Sequence, residues 1–226
     1  HRQTEGNPLF VTEVVRMLVQ EGELTQDDSP GSGRVEERDS WSVRIPEGVR
    51  EVIGRRLDRL SERCNETLTI AAVIGREFML EQLVPLVEDM TGDRLLDVLE
   101  EALSARVIEE LPRAAGRYQF THALIQETLA EELSTTRRVR LHARIAESLE
   151  ELYGGDAEAH AAELAHHFGE AVTVTRPGKL VQYSLLTGER ALAGYAHQDA
   201  LAHFQRASDA KESQPLDAEL TSILFG

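Results

Sequence analysis

The sequence has a single cysteine, Cys64, few aromatic residues and no long apolar run. Of its 226 residues, 5% are aromatic and 41% are apolar. One cysteine excludes an internal disulfide and any zinc site built on several thiolates, and it is typical of a reducing compartment. No apolar run approaches the roughly 20 residues needed to cross a bilayer. We therefore expect a cytoplasmic protein without membrane contact, whose core is built from aliphatic side chains.

Basic residues are also scarce. The chain has 24 Lys and Arg residues against 40 Asp and Glu residues, which gives a formal net charge of −16. Since nucleic-acid affinity comes largely from neutralising phosphates, we expect no direct nucleic-acid binding by this segment. Arginines do cluster at 55–63 and 137–144, but apolar residues are interleaved with them at helical spacing, which favours solvated helix faces.

The sequence also lacks the motifs that bind and hydrolyse nucleotides. It has no G-x-x-x-x-G-K-[ST] loop, and no strand ends in acidic residues that could serve Mg²⁺ in the usual pair with such a loop. No catalytic residue is therefore assigned, and the segment is not predicted to be an enzyme by itself. Because it begins with neither Met nor a signal pattern, we expect it to start inside a longer protein.

Apolar periodicity predicts a mainly α fold. Helical spacing is interrupted at 23–42, where charge, Ser, Gly and Pro predict a flexible linker. Three predicted helices between residues 61 and 105, the second of them at 79–88, are followed by two short strands at 107–111 and 117–120. This order is typical of a winged-helix domain.

Beyond residue 134 the pattern predicts successive helices with alternating large and small residues, as in paired repeat helices. In the predicted helix 136–153 the apolar stripe is formed by Val139, Ile145, Leu149 and Leu152. Too few units are present to define a period.

Two short motifs carry a family resemblance. They are Glu5-Gly6-Asn7-Pro8-Leu9-Phe10 and Tyr118-Gln119-Phe120-Thr121-His122-Ala123-Leu124. Together they resemble the region C-terminal to the nucleotide-binding core in STAND-type signal-transducing ATPases. The most similar bacterial members are LuxR-type transcription regulators and the AAA-like ATPase modules associated with class III adenylate cyclases. The resemblance implies a helical lid at 1–63, a winged helix at 64–133 and incomplete tetratricopeptide-like repeats at 134–226.

The resemblance also implies nucleotide contacts, made jointly with the absent core. Gly6, Asn7 and Pro8 match the motif that packs against the base and ribose, where Gly permits close backbone approach and Pro fixes the helix start. His122 matches the histidine that donates a hydrogen bond to the β-phosphate of ADP. Ala123 departs from the Asp that related plant and animal switches have at this position. ATP or ADP with Mg²⁺ would belong to the whole protein, and no cofactor is assigned to this segment.

The implied function is that of a regulatory segment in a nucleotide-dependent signalling switch. It would relay nucleotide state from the upstream ATPase core of the same chain to helical repeats that bind a protein or small-molecule inducer. The output domain would bind DNA or make cyclic AMP. The alternative is a helical scaffold for protein binding without a nucleotide role, in which His122 only caps a helix.

Other candidate sites are weaker. One predicted helix carries four residues that are potential zinc ligands: His160, Glu163, His166 and His167. Their order is not H-E-x-x-H and no further ligand is evident, so no metal site is assigned. Cys64 fits a small core residue. Ser61 and Ser134 fit helix caps better than nucleophiles.

Overall fold

The computed structural model describes residues 53–212, except residues 55, 88, 89 and 113. The linker predicted at 23–42, most of the predicted lid, and Gly6, Asn7 and Pro8 lie outside the described residues. Within the described part the chain is mainly helical with one small antiparallel sheet, which confirms the predicted mainly α class. Among these residues, no helix combines the length and the apolar composition that a membrane crossing needs.

The elements follow one another with short connections. Their order is α1 (Glu62–Ile74), β1 (Glu77–Met79), α2 (Leu80–Leu83), α3 (Gly92–Ser104), β2 (Ile108–Glu110), β3 (Arg117–Phe120), α4 (Ala123–Glu131), α5 (Thr135–Tyr153), a 3₁₀ helix (Gly154–His160), α6 (Ala161–Glu170), α7 (Pro177–Ala193) and α8 (His197–Glu212). The prediction of one helix over 79–88 is wrong in part, because Met79 ends a strand and, of the described residues 79–87, only 80–83 are helical.

Helix α1 begins at a side-chain cap, as predicted for Ser61. The Ser61 hydroxyl accepts a hydrogen bond from the Cys64 backbone N–H at 3.2 Å. The same hydroxyl donates to the Glu101 carboxylate of α3 at 2.8 Å, and the Ser61 backbone N–H donates to it at 2.6 Å. A cap satisfies one of the unpaired N–H groups at a helix start. Here the cap also ties α1 to α3.

The sheet has three strands in the order β1-β3-β2, and both pairs are antiparallel. Phe78 of β1 lies opposite Tyr118 of β3, and Ile108 of β2 lies opposite Phe120. The Phe78 ring is 5.8 Å from that of Tyr118 and 5.6 Å from that of Phe120 between centroids. All four side chains are buried, so the sheet packs its apolar face onto the helices.

One continuous core joins the sheet region to the later helices. Cys64 belongs to it, as predicted, and is fully buried. Burial and the nearby Glu101 raise the pKa of the Cys64 thiol to about 12. Because the thiolate is the nucleophile, a thiol that stays protonated at neutral pH fits packing rather than chemistry.

Helices α5 to α8 pack in sequence: α5 against α6, α6 against α7, and α7 against α8. Helix α7 approaches α8 closely at Gly188, where an added Cβ would lie 2.6 Å from the Phe204 ring. A glycine facing an aromatic ring lets the two helices lie close together at this point.

A buried amide joins the sheet region to this helical array. The Gln82 side chain donates to the Tyr153 hydroxyl at 2.9 Å and to the Glu163 carboxylate at 3.1 Å. Tyr153 in turn donates to Glu163 at 2.7 Å. Since buried polar groups are costly when unpaired, this closed network fixes how α2 sits on α5 and α6.

Candidate functional site

His122 lies at the junction between the sheet and helix α4. It is the N-cap residue of α4, two residues after the end of β3, and its backbone is extended. Its side chain is half-buried and makes no capping hydrogen bond to the helix. The residue therefore occupies the N-cap position without its ring serving as the cap.

The residues around His122 hold its backbone firmly. The hydroxyl of Thr121 donates to the carbonyls of Arg106 and Val107 at 2.9 and 3.1 Å, and the Thr121 N–H donates to Val107 at 3.1 Å. Arg106 adopts a left-handed backbone conformation, with φ of 55°. The turn after α3 and the start of α4 are thereby joined, and the position of His122 is fixed relative to the sheet.

The local electrostatics suit an anion. The N-terminus of a helix carries a partial positive charge and unpaired N–H groups. The first turn of α4 contains no acidic residue that would cancel this charge. A half-buried imidazole at such a position can donate a hydrogen bond to a phosphate oxygen. Gly6, Asn7 and Pro8 lie outside the described residues, so their relation to His122 stays a prediction.

Helix α3 presents an acidic face to solvent. Asp93, Asp97 and Glu100 are exposed on it, and Arg94 is the exposed basic residue among them. Glu101, the fourth acidic residue, is engaged by Ser61. Phosphates would be repelled by this face, so the geometry gives no support to DNA reading through α3.

A groove of about 480 Å³ lies between α6, the start of α7 and α8. Its lining mixes apolar and charged side chains: His166, Gly169, Glu170, Val172, Leu180, Ala202, Gln205, Arg206, Asp209 and Ala210. Gly169 forms the floor, since an added Cβ there would contact Leu180 and Arg206 at 3.6 and 3.8 Å. A concave surface of this size and mixed polarity can accept a small molecule or a side chain of a partner.

The histidines of the stretch 160–167 do not group as the sequence suggests. His160 stacks on the Tyr153 ring at 3.7 Å, and Glu163 accepts hydrogen bonds from Tyr153 and Gln82. His166 and His167 instead join His142 of α5, whose Nδ1 lies 2.9 Å from the Nδ1 of His167. The set of four considered from sequence is therefore divided between two places.

Burial dominates the electrostatics of these rings. Burial and the neighbouring His166 lower the pKa of His142 to about 4, against the opposite effect of Glu170. Burial, His142 and His166 lower the pKa of His167 to about 3, although the backbone of Ile74 favours a proton on it. The Nε2 atom of His167 is buried without a hydrogen bond of normal geometry among the described residues. Both buried rings are neutral at neutral pH.

Sequence reasoning missed His142 because a histidine was not counted in the apolar stripe of its helix. The signal was present in the spacing. His142 follows Val139 by three residues and precedes Ile145 by three, so it lies on the buried face of α5.

Comparison with protein families, with curated proteins and with solved structures finds no match to this chain. The function is therefore argued from its own residues and their geometry, together with the two motifs described above.

Proposed function

We propose that this chain is the regulatory segment of a multidomain, cytoplasmic, nucleotide-dependent signalling switch of the STAND type. The observation that carries the proposal is the placement of His122. The half-buried imidazole of His122 stands at the N-terminus of α4, beside backbone that Thr121 fixes, and the first turn of the helix has no acidic residue. A phosphate of a nucleotide bound by the upstream core could therefore accept a hydrogen bond from the His122 ring.

The order of elements supports the interpretation of 64–133 as a winged helix. A helix, a strand, two helices and a two-stranded hairpin follow one another, and β3 lies between β1 and β2. The successive packing of α5 to α8 supports tetratricopeptide-like repeats at 134–226, as far as residue 212. Both assignments rest on topology and packing together with the motif resemblance.

The mechanism is a population shift. ADP would be held between the upstream ATPase core and this segment, with Gly6, Asn7 and Pro8 at the base and ribose and His122 at the β-phosphate. Exchange for ATP, bound by the core with Mg²⁺, would change the contact at His122 and release the winged helix. A ligand shifts such an equilibrium only through its different affinity for the two states.

The groove between α6 and α8 gives the inducer a place to bind. Two charged residues of its lining, Glu170 and Arg206, would pair with polar groups of a small molecule or peptide. The output domain, whether it binds DNA or makes cyclic AMP, would lie elsewhere in the whole protein.

Substitution of His122 tests the nucleotide contact. In a chain extended upstream through its ATPase core, His122→Ala should weaken ADP binding about 10- to 100-fold, since hydrogen bonds to charged groups are worth about 1.5–3 kcal/mol. Titration calorimetry measures this. The matched control is His197→Ala, an exposed histidine of α8 whose ring contacts Tyr195, and it should leave ADP affinity unchanged.

Two results would count against the contact. Equal ADP affinity in the His122→Ala and His197→Ala proteins would remove His122 from the nucleotide site. Tight ADP binding by the 226-residue segment alone would mean that the site lies within the segment and not at a boundary with the core.

A helical scaffold is the second candidate function. The observation that favours it is the apolar surface at the α7–α8 connection, where Leu192, Tyr195 and Leu201 are 50%, 83% and 57% exposed. Exposed apolar side chains close together in sequence, as these are, are typical of protein-binding surfaces when they form a patch. Unchanged ADP affinity in the His122→Ala protein would leave this as the better account.

A further inference from the structure

Three histidine rings meet where α5 packs against α6. His142, His166 and His167, here called the three-histidine cluster, each offer a ring nitrogen within 4.8 Å of the other two. The ring centroids are 5.1 Å apart for His142 and His167, 5.1 Å for His166 and His167, and 5.6 Å for His142 and His166. Three imidazoles bound to one zinc ion, with metal–nitrogen distances of about 2.1 Å and tetrahedral angles, place their centroids about 5 Å apart. The three rings already have this spacing.

We propose that the three-histidine cluster binds a divalent transition metal ion of the zinc class, with its open coordination position facing the groove between α6 and α8. The ligand chemistry restricts the metal. Imidazole nitrogens suit zinc, copper, nickel and cobalt, whereas calcium and magnesium require oxygen ligands. Three histidines with a fourth position left for water or substrate is a common ligand set for zinc.

The helices hold two of the ligands in place. His142 lies on the buried face of α5, and His167 is fully buried on α6. Their two Nδ1 atoms, 2.9 Å apart, share a hydrogen bond when no metal separates them. In a tetrahedral zinc site these nitrogens would be about 3.4 Å apart, so a displacement of about half an ångström suffices.

His166 gives the metal its path from solvent. It is exposed and lines the groove, and its ring meets the His142 ring edge-on. A metal ion can therefore reach the cluster through the groove without unfolding of α5 or α6. The same opening would let a groove-bound ligand complete the coordination sphere.

The surrounding charge also favours a cation. Glu170 follows His166 by four residues, on the same face of α6, and it lines the groove. Its carboxylate acts electrostatically on His142, whereas Arg138, one turn before His142 on α5, acts in the opposite sense. Glu170 thus adds negative charge near the cluster, and it would accept a hydrogen bond from a metal-bound water.

Metal titration of the 226-residue chain tests the site. Zn²⁺ is titrated against a chromophoric chelator, and Co²⁺ is used as a spectroscopic probe. We expect one equivalent of tightly bound metal and the visible absorption of tetrahedral Co²⁺. The His166→Ala variant should bind Zn²⁺ at least about tenfold more weakly and lose the Co²⁺ signal, because a ligand has been removed.

His160→Ala is the matched control. His160 is on the histidine-rich stretch 160–167 but stacks on Tyr153 and lies outside the cluster. Its variant should bind Zn²⁺ as the parent chain does. Since His166 is exposed, its replacement leaves the core packing intact, and thermal unfolding checks this directly. Zn²⁺ should raise Tm in the parent chain and in His160→Ala but not in His166→Ala.

Three results would overturn the proposal. The first is the absence of stoichiometric Zn²⁺ or Co²⁺ binding, which would leave only a hydrogen bond between imidazoles. The second is equal affinity in His166→Ala and the parent chain. The third is loss of binding in His160→Ala alone, which would place the metal at the other end of α6. None of these results bears on the nucleotide contact of His122.

Discussion

Replacing Phe120 with alanine is expected to lower the free energy of unfolding by about 3–5 kcal/mol, the cost of removing a fully buried aromatic side chain. The Phe120 side chain is 0% exposed, packs 5.6 Å from the Phe78 ring and lies opposite Ile108. It contacts both outer strands of the sheet, so a cavity here cannot be filled by one neighbour. Denaturant unfolding followed by circular dichroism measures the loss.

The matched control for Phe120 is Leu96→Ala in α3. Leu96 is an apolar side chain of the same unit, but it is 39% exposed, so its truncation should cost less than about 1 kcal/mol. Because Phe120 precedes His122 by two residues, its loss should also loosen the start of α4. Equal destabilisation by the two variants would show that the sheet is not packed as described.

The second large effect is expected at Leu149 in α5. Leu149 is 0% exposed in the core between the sheet region and the helical array, and Leu149→Ala should cost about 2–5 kcal/mol. Leu152→Ala, three residues later on the same helix, should cost less than about 1 kcal/mol because Leu152 is 40% exposed. The two variants remove the same atoms from the same helix and differ in burial.

Thermal and denaturant unfolding of this pair would separate burial from helix propensity. Both substitutions replace Leu with Ala, so any gain in propensity is the same at the two sites. A larger loss for Leu152→Ala than for Leu149→Ala would contradict the assigned packing of α5.

The same pair shows how far sequence periodicity reaches. The stripe of Val139, Ile145, Leu149 and Leu152 predicts that α5 exists and which side is apolar, and the structure confirms the helix at Thr135–Tyr153. It does not predict at which residue of the stripe burial by neighbouring elements ends. That depends on which elements pack there, which local spacing does not encode.

Strand β1 was not predicted from the sequence. Three residues are too few to show alternation, and they exist as a strand because β3 offers them hydrogen-bonding partners. The hairpin strands β2 and β3 were predicted because a Pro- and Gly-bearing turn marks their junction. A contact between distant segments is therefore harder to read from sequence than a local turn.

The candidate sites show the same difference between local motifs and contacts between distant segments. His122 was singled out by its local motif, and the structure places it at the N-cap of α4. The three-histidine cluster was not predicted, because His142 is 24 residues before His166 and is brought to it by the packing of α5 on α6. The four residues that the sequence suggested on one helix, His160, Glu163, His166 and His167, are divided, because Glu163 pairs with Gln82 and His160 stacks on Tyr153.

The central claim is that this segment responds to the nucleotide held by an upstream core. Hydrogen exchange of the extended chain, with ADP, with ATP and without nucleotide, tests it most directly. We expect ADP to slow exchange across β3 and α4 more than ATP does, and we expect His122→Ala to remove the difference. Identical exchange of β3 and α4 under all three conditions would contradict it.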